Sequence, residues 1–298
     1  MTRPFTIGLV QMAPEVTVAA SLEKAAGFVA EAARAGANLV CLPELFATPY
    51  FCRTQDHDAF DLAEPIPGPT TMAMAAAAKA TGTVVVAPLF ERRGPGCYHN
   101  SLAVLGPEGD ILGRYRKMHI PHDPGFEEKF YFAPGDLGFT AVPTPLGPIG
   151  TLICWDQWFP EAARATALLG ALVLVYPTAI GWHPSEKAKY GERQREAWMT
   201  VQRGHAIANG IYVAAINRVG VEGGGQGYGE TLEFWGSSFL ADPSGVVLAQ
   251  AGSDTEEVIT GVIDPATLET TRRHWPFFRD RRVDAYGGLT RLYGDERP

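Results

Sequence analysis

Three residues of reactive type stand at the ends of apolar runs. Cys154 comes at the close of GTLICWD, and Phe159-Pro160-Glu161 opens a helical stretch just beyond, so its thiol falls in a strand-to-helix turn. Such an elbow exposes a nucleophile. Its backbone N–H groups face an incoming anion, which lowers a thiol pKa and supplies donors to an oxyanion. Glu44 ends NLVCLPE, a nearly unbroken apolar run. A carboxyl emerging there into a partly desolvated site has its pKa driven toward neutrality, the range of a general base. Lys117 closes the run Ile111 to Lys117. Beside carboxylates in a pocket it keeps its charge and acts as an electrophile. Taken singly, each has a plainer explanation: a small buried hydrophobe, as Cys41 is within NLVCLPE, a loop acid, and a solvated cation.

Histidine is the commoner base for a thiol. His119 and His122 sit beside Lys117 in KMHIPHD, and His205 falls on a helix where packing or capping accounts for it, so a Cys–His dyad is the weaker alternative. The four cysteines, Cys41, Cys52, Cys97 and Cys154, form no CxxC pair and the histidines show no ligand spacing, so no structural metal is expected. Four thiols in 298 residues are also too sparse for a disulfide framework. With 25 Lys and Arg against 33 Asp and Glu, the net charge of -8 offers no footprint for a phosphate backbone. Met1 to Val10 lacks a basic region followed by an apolar run, and no apolar segment approaches membrane-spanning length. A cytoplasmic protein acting on a small molecule, with neither nucleic acid nor membrane as partner, is the expectation.

Strand and helix signals alternate around these residues. A strand from Phe5 to Met12 precedes a helix from about Val16 to Ala35, where Val18, Leu22, Ala25, Val29 and Ala33 recur at helical spacing and Gly36 stops the run. Asn38 to Glu44 reads as a strand buried on both faces. A helix from Thr70 to Lys79 leads to strands at Val84 to Phe90, Ser101 to Leu105 and Ile111 to Lys117. The pattern repeats with strand Gly150 to Trp155, helix Pro160 to Leu169, strand Leu172 to Tyr176, helix Arg195 to Ala208 and strand Tyr212 to Asn217, before hairpins from Trp235 to Asp264. AGANLVCLPE (Ala35 to Glu44) and LGALVLVYPT (Leu169 to Thr178) look alike, which suggests two similar halves. An α/β four-layer αββα sandwich of two mixed sheets fits this order; a plain doubly wound sheet is the alternative, and the hairpins count against it. The chain is expected to form one domain over 1–298, with a C-terminal extension from about residue 274.

Glu in LPELF, Lys in YRKMHIP and Cys in CWDQWFPE, in that order, resemble the nitrilase superfamily of carbon–nitrogen hydrolases. EKFYFAPGD, the YPTAIG run, RGHAIANGIYVAAINRVG and HWPFFRDRR extend the likeness over almost the whole chain, and among branches it is nearest to the N-carbamoylputrescine amidases. The resemblance implies the αββα fold, no cofactor, no metal, and a Cys–Glu–Lys triad with a second Glu: Cys154, Glu44, Lys117 and Glu128. It also implies at least a homodimer, through the face bearing the helix after the nucleophile. The implied reaction is hydrolysis of a carbamoyl or amide C–N bond, with N-carbamoylputrescine yielding putrescine, CO2 and ammonia. Alternatives are a β-ureidopropionase-like activity, another aliphatic amidase or nitrilase, or a non-catalytic binding member. Trp155, Asp123, Tyr50 and His183 are the candidates for substrate contact. Relatives that cleave carbamoyl amino acids tend to carry Arg just after the nucleophile; Trp155-Asp156-Gln157-Trp158 has none, so a cationic or neutral tail is expected. Plant enzymes of the branch place an acid after YPTAIG where this chain has Trp182-His183-Pro184, leaving Glu186 as the stand-in.

Overall fold

Two six-stranded sheets carry the chain, and the computed structural model describes residues 3–224 and 231–294. In chain order the strands begin β1 (Phe5–Gln11), β2 (Leu39–Cys41), β3 (Val84–Gly94), β4 (Cys97–Leu105), β5 (Ile111–Arg116), β6 (Thr140–Val142) and β7 (Ile149–Thr151). They continue β8 (Val173–Thr178), β9 (Gly181–Trp182), β10 (Tyr212–Asn217), β11 (Val219–Gly223), β12 (Thr231–Trp235), β13 (Phe239–Ala241), β14 (Val247–Gln250) and β15 (Glu257–Ile263). The helices are α1 (Val18–Arg34), α2 (Pro69–Thr81), α3 (Glu128–Tyr131), α4 (Pro160–Leu168), α5 (Pro184–Asn209) and α6 (Pro265–His274).

Side-chain alternation sets the layers. Ile7 and Leu9 of β1, Leu39 and Cys41 of β2, Val84 and Val86 of β3, and Leu102 and Val104 of β4 lie in the core between the sheets. The intervening Val10, Val40, Val85 and Ala103 face outward and pack with Ala25, Val29 and Ala32 of α1 and Met74 and Ala78 of α2. Ala163 and Ala167 of α4 and Trp198 and Ala206 of α5 join the inter-sheet core residues from the outer face of the second sheet. The result is the helix–sheet–sheet–helix sandwich.

The likeness of the two halves is topological as well as local. In the first sheet β1, β2 and β3 run parallel and β4 and β5 follow antiparallel; in the second, β7, β8 and β10 run parallel and β13 and β14 follow antiparallel. Each half then donates its next strand to the other sheet. β6, which follows the first half, pairs with β7, and β15, which follows the second, pairs with β1 along its whole length. A small third sheet, β11-β12-β9, adds to the end of the sandwich where the strands bearing the reactive residues finish.

Several boundaries differ from the sequence reading, three of them in elements that flank the site. The buried strand before Glu44 keeps its ladder only over Leu39–Cys41, since Pro43 has no N–H to continue it. The strand before Cys154 ends at Thr151, and Cys154–Trp158 form a 3-10 turn. α5 starts at Pro184 rather than Arg195, because its first half is polar on all sides and carries no apolar period, although Pro184 at the first turn and His183 as cap mark its start.

Candidate active site

Glu44, Lys117 and Cys154 lie beyond the carboxyl ends of β2, β5 and β7, which finish at the same edge of the sandwich, the place where open α/β sheets gather their ligands. All three are brought together with Glu128. Lys117 Nζ donates to Glu44 Oε1 at 2.8 Å and to Glu128 Oε2 at 2.7 Å, and none of the three side chains reaches solvent. Burial alone would push the Lys117 ammonium down, but the Glu128 and Glu44 carboxylates outweigh it and hold the pKa well above the ordinary lysine value. Glu128, at the start of the short α3, has its carboxyl pushed up to about 7 by burial and by the Glu44 charge, against the pull of Lys117. Tyr50 Oη donates to its other oxygen at 2.8 Å.

Glu44 Oε1 also accepts from Asn100 Nδ2 at 2.7 Å, while its Oε2 is buried with no hydrogen-bond partner among the described residues. One oxygen is therefore a fixed anchor and the other is open to take a proton. The Lys117 backbone is clamped as well: its N–H donates to the Asn100 carbonyl at 2.9 Å and its carbonyl accepts from Gly135 at 2.8 Å. Only glycine fits at 135, where a Cβ would stand 2.1 Å from the Arg116 carbonyl oxygen.

Cys154 adopts φ +43°, a left-handed conformation costly for any residue with a Cβ, and holds its thiol 3.9 Å from the Ala179 carbonyl. The loop carrying that carbonyl is pinned by Asn217, which accepts from Ile180 N–H and donates to the Ile180 carbonyl, each at 3.0 Å. The elbow does not lower the thiol pKa, contrary to expectation. Burial pushes it well up and the Glu44 charge adds to this, with only Lys117 among nearby groups pulling strongly the other way. The resting group is a neutral thiol.

A cavity of about 250 Å³ opens on Cys154, with walls that include Phe126, Trp155, Trp158, Gln194 and Trp235. Among the described residues of this lining, Asp123 is the one that carries a charge. Trp155 and Asp123, two of the expected substrate contacts, both line this cavity. Tyr50 is instead buried behind Glu128, with the Arg218 guanidinium 6.0 Å above its ring. His183 caps α5, its Nδ1 accepting from Ser185 N–H at 3.3 Å, and neither it nor Glu186 in the first turn of that helix is among the described residues that line the cavity. Pro184 starts the helix there and turns His183 to that end. No histidine bonds the thiol; His119 Nδ1 contacts Asp156 Oδ1 at 2.7 Å and His122 faces Glu127 at 3.4 Å. Among the described residues no group of three His, Cys, Asp or Glu is arranged to hold a metal ion, and no helix is long and apolar enough to cross a membrane.

Asn100, Gly135, Asp156, Asn217 and Arg218 escaped the sequence reading. The available signal was polarity inside apolar runs: Asn100 in YHNSLAV and Asn217 in YVAAIN are fully buried. Such residues persist only where they satisfy a partner.

The family model described as carbon-nitrogen hydrolase matches residues 6–273. An N-carbamoylputrescine amidase of Solanum lycopersicum is 42% identical over 294 residues, covering 98% of this chain and 97% of that protein. A citrullinase of Francisella tularensis is 39% identical over 288 residues, covering 96% and 98%. A solved carbon-nitrogen hydrolase from Helicobacter pylori G27 superposes with a TM-score of 0.94 at 44% identity, covering 98% of this chain and 100% of that one.

Proposed function

We propose, from the premise that this chain belongs to the carbon–nitrogen hydrolase family and is an amidase, that its substrate is N-carbamoylputrescine, hydrolysed to putrescine, CO2 and ammonia. The observation that carries the reading is the cavity on Cys154: one carboxylate, Asp123, among aromatic walls and no cation in the lining. Such walls suit an alkylammonium tail. Relatives at about this level of identity that bear the same activity support it.

In this reading Cys154 is the nucleophile. Glu44 takes the thiol proton on Oε2 as sulfur bonds to the ureido carbon, which suits a thiol that is neutral at rest. An ammonium has three donors; two of Lys117's are engaged by Glu44 and Glu128, leaving the third for the oxyanion, with the Trp155 backbone N–H as a second donor. Glu44 returns the proton to the departing nitrogen, ammonia leaves, and an S-carbamoyl intermediate remains. Water, deprotonated by Glu44, then attacks; the C–S bond breaks, the thiol is reprotonated, and the released carbamate loses CO2 to give the amine. Glu128 holds Lys117 in place.

A ureido amino acid such as citrulline is the second reading. Buried Nε1 of Trp158 and of Trp235, both residues of the cavity wall, have no acceptor among the described residues, and a carboxylate would take their hydrogens. Two neutral donors satisfy lone pairs without balancing a charge set near Asp123, so the diamine-type tail is the stronger reading.

The chain is read as one catalytic unit that pairs with a second copy. A cavity of about 500 Å³ against α4 and α5 has buried Arg164 Nη1, His205 Nε2 and Asn209 Oδ1 without partners, beside exposed Leu168, Tyr286 and Leu289. Burial pushes His205 down to about 4, so it presents a neutral ring. A cytoplasmic location belongs to the same reading, supported by four free cysteines. Ammonia release is the test. Cys154→Ser and Cys154→Ala are expected to lose activity on the order of 10³-fold or more with the fold intact; a serine variant within tenfold of the parent overturns the nucleophile. A monomer by light scattering at micromolar concentration overturns the pairing.

A further inference from the structure

Asp156, two residues past the nucleophile, is fully buried. Its four hydrogen bonds go to two separate segments. Oδ2 accepts from the Ile153 N–H at 3.0 Å, immediately before Cys154, and from Tyr115 Oη at 2.7 Å. Oδ1 accepts from the His119 N–H at 3.0 Å and meets His119 Nδ1 at 2.7 Å. Tyr115 and His119 stand two residues before and two residues after Lys117. One carboxylate therefore grips the nucleophile's turn with one oxygen and both flanks of the lysine with the pair.

We infer that Asp156 is a positioning residue that fixes Cys154 relative to Lys117, and that Tyr115 and His119 act through it. The inference rests on the assignment of Cys154 and Lys117 as nucleophile and oxyanion donor. Three features make the contact more than a fold anchor. Cys154 holds a left-handed φ of +43°, and the Ile153 N–H bond fastens the residue before it. The His119 ring stacks on Phe159 at 3.7 Å and 6°, and Phe159 N–H returns to the Asp156 carbonyl at 3.1 Å, so both ends of the turn close on the same residue. Finally, the thiol and the ammonium come from different sheets, joined here by a side chain rather than by a backbone ladder. Misplacing reacting groups by about 1 Å costs on the order of 10²-fold in rate.

The experiment is steady-state ammonia release, per folded molecule by circular dichroism and well below each variant's melting temperature. Asp156→Asn is expected to lower kcat on the order of 10²-fold with KM little changed. Tyr115→Phe, which removes the hydrogen bond to the Asp156 carboxylate and a longer one accepted from the Met118 N–H at 3.3 Å, is expected to cost roughly tenfold in kcat. Added to Asp156→Asn, it should cost much less than tenfold, because only its longer bond from the Met118 N–H is left to lose. A purely structural role would lower the melting temperature and leave kcat per folded molecule unchanged. If Asp156→Asn does not fold, Tyr115→Phe and His119→Ala decide the matter: kcat within twofold of the parent in both overturns the inference. Cys154→Ser and Lys117→Met are run beside them; if those retain activity, the site assignment has failed instead.

Discussion

Lys117 Nζ lies 2.7 Å from Glu128 Oε2, with neither side chain exposed. Because Glu44 holds the same ammonium at 2.8 Å, two carboxylates share one cation, and the cluster has a surplus of negative charge beside Cys154. Burial is the first reason that the thiol stays neutral, and that surplus adds to it: a thiolate would be a third anion around a single ammonium. In the proposed reaction proton removal accompanies attack, and Glu44 Oε2, without a partner among the described residues, is the atom assigned to it.

The acid limb of kcat/KM should have an apparent pKa near 7. Glu128 accepts from Tyr50 and Lys117 on its two oxygens, an arrangement suited to the carboxylate, and its carboxyl is pushed up to about 7. Below that value the proton displaces one of these bonds and loosens Lys117, so activity falls with falling pH. Glu128→Gln should flatten the limb and lower kcat at every pH. The sign for stability is the reverse. The folded state binds this proton more tightly than the unfolded chain, so its contribution is greatest below the ordinary glutamate value and declines as pH rises to about 7. A kcat/KM profile flat from pH 5 to 8 in the parent contradicts the assignment.

Glu44→Gln separates a proton acceptor from a tuner of thiol pKa. Removing the Glu44 charge relieves repulsion on a thiolate, so alkylation of Cys154 by iodoacetamide should set in at lower pH than in the parent. Turnover should nevertheless fall by roughly 10²- to 10⁴-fold, the usual worth of a general base. Alkylation and turnover falling together would instead make Glu44 an activator of a resting thiolate.

What the sequence revealed follows from how each residue is held. Glu44, Lys117 and Cys154 were legible because a reactive group ending an apolar run has few structural reasons to be there. Glu128 carried no such signal; it opens a four-residue helix and was found only through likeness to a family. The turn at Cys154 is legible in the sequence, whereas the burial and the Glu44 charge that push its thiol pKa up arise only from tertiary contacts. The place of His183 at the start of α5 rather than in the cavity lining depends on Pro184, which turns the chain into a helix after YPTAIG. The exchange of β6 and β15 between sheets was invisible, since short strands do not declare their partners.

Lys117→Met should destabilise the protein as well as inactivate it. Removing one partner of a buried ion pair strands the others, here two carboxylates without solvent, at a cost of about 3–5 kcal/mol. Urea unfolding at pH 8 is the measurement, and loss of an oxyanion donor should reduce kcat by on the order of 10²- to 10³-fold in whatever remains folded. Unfolding free energy within about 1 kcal/mol of the parent would mean that water or protons neutralise the cluster.

The tail of the substrate decides between readings of the cavity. Asp123 is exposed at its rim, so its pairing with an ammonium is worth only about 0.2–1 kcal/mol, a factor of up to roughly five. Asp123→Asn should therefore lower kcat/KM for N-carbamoylputrescine by up to about fivefold and leave pentylurea, which has the same length and no charge, unchanged. Rejection of carboxylates should be far stronger. Among the described residues no Arg or Lys lines the cavity, and an anion set unpaired beside the Phe126, Trp155, Trp158 and Trp235 walls costs several kcal/mol by rough estimate. N-carbamoyl-β-alanine should accordingly be poorer than N-carbamoylputrescine by about 10²-fold or more at equal salt. Citrulline carries both charges and should fall between them, its ammonium served by Asp123 and its carboxylate only by the neutral indole N–H groups. Citrulline as the best substrate would assign Trp158 and Trp235 to carboxylate recognition and overturn the diamine-type tail. A preference for N-carbamoyl-β-alanine would require a cation that the described cavity does not contain.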